Sequence, residues 1–176
     1  MLHRLILMRH AKSAWPEGVS DFERPLAPRG EAAAPLMGRW LGEQQFVPDV
    51  ALVSSALRTR ATWAAVAPEL IGTPARFEPK IYNARVEMLL DILRAQPASA
   101  KTVLMIGHNP GMQELAHGLA NPAQSDLDAL GRLARKFPTA GVAVLESEAG
   151  FGKAAPHSMR LMTFITPRFL GGVDED

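Results

Sequence analysis

Leu5-Ile6-Leu7-Met8 runs directly into Arg9-His10, and Val103-Leu104-Met105-Ile106 runs directly into Gly107-His108-Asn109-Pro110-Gly111. Each apolar run has the length and composition of a buried strand, and each delivers a histidine at its carboxyl end. In an open parallel α/β sheet, ligands bind outside the carboxyl ends of the strands. The two histidines, far apart in sequence, are therefore expected at one sheet edge, the first beside an arginine. That combination suits an anion held by the arginine and attacked by a neighbouring imidazole.

The pattern extends outward from these strands as alternating helices and strands. Residues 11–30 carry Trp15-Pro16, Gly18, Pro25, Pro28 and Gly30 and show no periodicity, which predicts a long functional loop. Ala33, Leu36, Met37, Trp40 and Leu41 have helical spacing and predict a helix over 31–45. Val50-Ala51-Leu52-Val53 reads as a strand, and Ser54-Ser55 as the N-cap of a helix over 56–67. A short strand at 75–77, a helix from Asn83-Ala84 to Leu93, and a helix from Gly111 to Leu119 follow the same logic. Asp126 to Lys136 reads as helical, ended by Phe137-Pro138. The segments 141–145 and 159–165 are the last strands; no crossover helix fits between them, so they should pair as a hairpin. The predicted fold is a three-layer α/β sandwich with a mostly parallel six-stranded sheet and one antiparallel strand near an edge.

Composition narrows the function. The chain has 176 residues, enough for one domain that buries roughly 70% of its unfolded surface. Hydrophobic residues make up 47% and charged residues 21%, with a formal net charge of +1. Acids and bases are interspersed, so no nucleic-acid surface is expected. There is no cysteine, which excludes disulfides, thiolate nucleophiles and Cys-based zinc sites. No apolar stretch approaches the ~18 residues of a membrane span, and Arg9 and Lys12 interrupt the only segment resembling a signal peptide. The expectation is a protein of the cytoplasm with no membrane partner; composition is silent on oligomeric state. Residues 1–170 should form the domain, and 171–176, ending Asp174-Glu175-Asp176, a disordered acidic tail.

A third feature joins the histidines. Arg58 falls in the first turn of the helix after Val50–Val53, where the helix amino terminus adds partial positive charge and free N–H groups. Two guanidinium groups can grip a phosphoryl group through bidentate, charge-assisted hydrogen bonds. Reading the histidines as zinc ligands requires a third ligand, and no HxH or HxxxH spacing supplies one.

Arg9-His10-Ala11-Lys12-Ser13, the run Ser54 to Trp63 and Gly107-His108-Asn109-Pro110-Gly111 resemble the motifs of the histidine phosphatase superfamily, which has a phosphoglycerate mutase-like fold. Ala11 after the histidine, Arg24-Pro25-Leu26-Ala27-Pro28-Arg29-Gly30 and Phe137-Pro138-Thr139-Ala140 look most like the SixA-type phosphohistidine phosphatases of that superfamily. The resemblance makes residues 1–170 a histidine phosphatase domain and His10 the nucleophile. Arg9, Arg58 and His108 would hold the phosphoryl oxygens, with Ser13 and Asn109 as further substrate contacts. No metal and no cofactor are implied.

The departures from the family pattern carry meaning. Trp15 is followed by Pro16, whereas mutase-like members usually carry an asparagine shortly after this tryptophan. Glu87 is the candidate general acid, yet its place in a first helical turn is also what the helix dipole favours. Asp21, Glu23 and Glu31, in or beside the long loop, are the remaining candidate proton donors. A weak acid suits phosphohistidine, whose imidazole leaves readily once protonated, better than an ester, whose alkoxide needs a proton. The expected partner is accordingly a phosphorylated protein such as a phosphorelay carrier. Two alternatives are a phosphatase or mutase on small phosphorylated molecules and a catalytically inactive phosphate-binding module.

Overall fold

The computed structural model describes residues 1–174. Its six strands are β1 (His3–Arg9), β2 (Val50–Ser54), β3 (Ala75–Glu78), β4 (Thr102–Gly107), β5 (Val142–Ser147) and β6 (Arg160–Ile165). They form one sheet in the order β3-β2-β4-β1-β5-β6. β3, β2, β4 and β1 pair in parallel, and β5 runs antiparallel to both β1 and β6. One strand is thus reversed, second from the edge, and the last two strands pair as the expected hairpin.

Side chains alternate across a strand, and in β1 both sets are apolar. Leu5 and Leu7 enter one core with Leu52, Val103 and Met105, and Ile6 and Met8 enter the other with Val53, Leu104 and Ile106. A sheet buried on both faces needs helices on both sides. On the first face lie α3 (Val86–Arg94), α4 (Gly111–Leu119) and α5 (Leu127–Arg135), contributing Leu89, Leu93, Met112, Leu115 and Leu133. On the second lie α1 (Pro28–Glu43) and α2 (Leu57–Val66), contributing Met37, Leu41, Trp63 and Val66. This is the expected three-layer α/β sandwich.

Three boundaries differ from expectation. The first helix starts at Pro28 rather than Glu31, because proline at the first helical position has a preset φ and needs no N–H partner. The loop before it is tied down by an antiparallel bridge, Ser13 to Leu26, and a 3₁₀ turn over Asp21–Glu23. α2 is capped at Ala56 with no side-chain bond, so Ser54-Ser55 is not its cap. α3 starts at Val86, after a 3₁₀ turn over Pro79–Ile81 and a left-handed Asn83.

Of the expected tail, Glu175 and Asp176 lie outside the described residues. Asp174 is placed by its carboxylate, which accepts the Arg168 N–H at 2.9 Å. Among the described residues, no helix is long and apolar enough to cross a membrane.

Candidate active site

His10 and His108 are the first residues beyond β1 and β4, which are neighbours in the sheet. The His10 N–H donates to the Gly107 carbonyl at 2.9 Å, so the two strand ends hold the histidines together, ring centroids 5.3 Å apart. β2 lies on the far side of β4, and the helix it feeds brings Arg58 to the same edge. Arg9, His10, Arg58 and His108 share a cleft of about 270 Å³. Ser13 and Asn109 line it as well.

His10 is buried, and its Nδ1 lies 2.7 Å from the Ala11 carbonyl oxygen. A carbonyl only accepts, so Nδ1 carries the proton and Nε2 keeps its lone pair when the ring is neutral. Burial holds the His10 pKa well below 6.5; His108, Arg58 and Arg9 push the same way, against the bond to Ala11. The ring therefore stays neutral at physiological pH. The Ala11 N–H donates to Thr62 Oγ1 at 3.0 Å, and that hydroxyl donates to the Arg58 carbonyl. One threonine thus joins the turn after β1 to α2.

His108 Nε2 lies 2.7 Å from Ser54 Oγ. Burial, then Arg58 and Arg9, lower the His108 pKa to about 4, against the opposing charge of Asp21. Its Nδ1 is buried without a hydrogen-bond partner. The Arg9 Nη1 and the Asn109 amide both donate to the Phe137 carbonyl, at 2.9 and 3.1 Å. The Asn109 side-chain oxygen accepts from the Gln113 N–H. Asn109 therefore lines the cleft while bracing the carbonyl that orients Arg9. Ser13 Oγ accepts from Arg24 Nη2 at 2.6 Å, and its own proton remains available as a donor.

The long loop contributes a network that periodicity does not reveal. Arg58, 5% exposed, donates to the Asp21 carbonyl at 2.7 Å and to its carboxylate at 3.2 Å. The same carboxylate accepts from Arg24 at 3.0 Å and from the Tyr82 hydroxyl at 2.5 Å. The Tyr82 bond, then the two arginines, hold Asp21 far below the usual carboxylate range. Asp21 is therefore not a proton donor near neutral pH, which corrects the expectation for that residue. Trp15, 77% exposed, lies 3.2 Å from the Arg24 guanidinium at the cleft rim. The clue to Asp21 was the short spacing to Arg24-Pro25, inside a loop too long to be idle.

Glu87 does not line this cleft. It is exposed in an adjoining groove of about 440 Å³ that shares Asn83, His108 and Asn109 with it. Glu23 and Glu31 line neither. Among the described residues, no group of three or more His, Asp or Glu could hold a metal ion.

Residues 5–82 match the histidine phosphatase superfamily (branch 1). The uncharacterised protein Rv1276c of Mycobacterium tuberculosis is 37% identical over 161 residues, covering 92% of this chain and all of the relative. Two solved structures of candidate phosphohistidine phosphatases, both named SixA, are each 32% identical. The one from Nakamurella multipartitia superposes with a TM-score of 0.83 over 95% of this chain and 97% of its own. That from Agrobacterium tumefaciens gives 0.79 over 94% and 98%.

Proposed function

Because the chain belongs to the histidine phosphatase superfamily, we propose that residues 1–170 form a phosphatase that removes the phosphoryl group from phosphohistidine in a protein. The observation that carries this reading is the His10 tautomer: Nδ1–H is tied to Ala11, and the Nε2 lone pair shares a cleft with Arg9, Arg58 and His108. In the first step His10 Nε2 bonds to phosphorus as the bond from phosphorus to the substrate imidazole nitrogen breaks. The leaving imidazole takes that electron pair and departs neutral, already protonated on its other nitrogen. In the second, water oxygen bonds to phosphorus, the Nε2–P bond returns its pair to His10, and the water proton leaves with phosphate or solvent.

Arg9 and Arg58 supply the positive charge, each charge-assisted bond contributing about 1.5–3 kcal/mol. Their positions are set before reaction, so charge shifting onto the phosphoryl oxygens meets donors already aligned. Neither role requires a metal ion. The SixA-type relatives support the phosphohistidine assignment, and so does the cleft. Its only lining carboxylate among the described residues is Asp21, held ionised. A site without a ready proton for an alkoxide suits an imidazole leaving group.

The test is phosphate release, in excess EDTA, from a phosphohistidine protein and from phosphoserine and sugar-phosphate controls, each repeated with His10→Ala. Preferential release from phosphohistidine that vanishes in His10→Ala is the expected result. Preference for the esters moves the protein to small phosphorylated molecules. Binding of the phosphoprotein without release makes it a phosphate-binding module.

A further inference from the structure

β6 is antiparallel to β5, which is antiparallel to β1, so β6 ends at the same sheet edge as β1. Two strand spacings separate them, about 10 Å. Beyond β6 the chain enters Thr166 and a 3₁₀ turn over Pro167–Leu170, packed beside the end of α5. Between them lies a pocket of about 380 Å³ whose walls carry four cations, Arg132, Arg135, Lys136 and Arg168, and one carboxylate, Asp174. On a chain of net charge +1, this is a pronounced local concentration of positive charge. Pro138 lines this pocket and the next residue, Thr139, lines the catalytic cleft.

One detail marks a pocket suited to carboxylates. Asp174 enters it and accepts the Arg168 N–H, so the wall already receives an acidic side chain. Arg132 is committed to Asp128, to the Phe164 carbonyl and to the Phe169 ring, whereas Arg135 and Arg168 stand exposed.

We propose that this pocket docks acidic side chains of the protein substrate, seated next to the cleft that takes its phosphohistidine. The proposal rests on the phosphoprotein reading above and adds what recognises the protein around the reacting residue. An extended segment advances about 3.3 Å per residue, so the acidic residues belong roughly three to five positions from the phosphohistidine, or at an equivalent distance on a folded surface.

The test uses two synthetic histidine peptides, one with aspartates and glutamates at that spacing and one with asparagines and glutamines. Their fluorescein-labelled, unphosphorylated forms are titrated with the full chain and followed by anisotropy, a readout that needs no turnover. The acidic peptide should bind, the neutral one about tenfold or more weakly, and the acidic complex should weaken as salt rises. Arg135→Glu with Arg168→Glu should abolish the difference. Equal binding of the two peptides, or unchanged acidic binding by the double variant, overturns the proposal. The phosphorylated acidic peptide then reads the underlying function separately: binding without phosphate release sinks the phosphatase reading and leaves the pocket standing.

Discussion

Ser54 Oγ and His108 Nε2 lie 2.7 Å apart, a side-chain bond between the carboxyl ends of β2 and β4. It fixes the orientation of the His108 ring, whose Nδ1 is buried without a hydrogen-bond partner. A ring held this way is aligned before substrate arrives, which is where electrostatic stabilisation gains its effect. Ser54→Ala should lower kcat about tenfold, the equivalent of one net hydrogen bond. KM should move less, and Ser54→Cys, a weak donor, should fall between. Steady-state kinetics on a phosphohistidine substrate check this; a change confined to KM would mean that Ser54 serves binding alone.

Burial of both histidines sets the acid side of the pH dependence. In the proposed mechanism His10 must be neutral to attack, and its pKa lies well below 6.5. kcat/KM should therefore hold as pH falls through 6.5 and decline only at lower pH. Stability follows the same direction. His108 titrates at about 4 when folded, against 6.5 as its ordinary value. Between those values the unfolded chain binds a proton that the folded chain does not, so stability rises with pH across that window and is lost as pH falls through it. For His108 alone the effect is about 3 kcal/mol. Urea unfolding at several pH values should show it, and His108→Asn should reduce the slope, leaving the part that His10 contributes in the same direction.

What the sequence revealed and what it concealed divide on physical grounds. Apolar runs that end in His10 and His108 are legible because a sheet buried on both faces demands unbroken hydrophobic strands. Arg58 is legible because it starts the helix that such a strand feeds. Asp21, Arg24 and Tyr82 come from two irregular segments 61 residues apart between Asp21 and Tyr82, and loops carry no period to place them. Ser54 has the residue type and position of a cap, but a 2.7 Å bond to a histidine 54 residues away prevails over local chemistry.

Asp21 governs the ionisation of Tyr82, whose pKa is raised above 10.0 chiefly by the hydrogen bond to that carboxylate. Tyr82 is the only tyrosine in the chain, so phenolate absorbance reads this one group. Asp21→Asn should bring the titration back toward 10. The same change weakens the ties to Arg24 and Arg58, and should speed hydrogen exchange at Ala14 and Ala27, whose N–H groups close the loop onto Pro25 and Lys12. The Asp21 side chain is 45% exposed, so the stability loss should be only about 1 kcal/mol. An unmoved tyrosine titration would disprove the link.

Gly30 is where the loop after β1 rests on α1. A Cβ there would overlap the carbonyl oxygen of Lys12 and crowd two more of its backbone atoms, none of which can swing aside. Gly30→Ala should cost roughly 2–3 kcal/mol despite the better helix propensity of alanine. Gly131, in α5, has nothing within 4 Å of its added Cβ, and Gly131→Ala should stabilise by up to about 1 kcal/mol. Thermal unfolding of the pair separates the steric cost from the propensity gain.

Glu87 decides between leaving groups. It stands exposed in the groove beside His108, outside the cleft of His10. An alkoxide leaving group needs a general acid, and losing one lowers the rate about a hundredfold or more. Imidazole leaves as a neutral ring once its other nitrogen carries a proton, so a phosphohistidine substrate makes no such demand. Because Glu87 stands outside the cleft, Glu87→Ala should leave phosphohistidine turnover and any residual ester turnover within about twofold of the parent, whereas a hundredfold loss of ester turnover alone would make Glu87 the general acid. The comparison needs both substrates on the same preparation, because a general loss of folding would depress both rates together. A hundredfold loss confined to phosphohistidine would instead mean that the protein substrate draws Glu87 into the cleft, and that the proton for the departing imidazole comes from this enzyme.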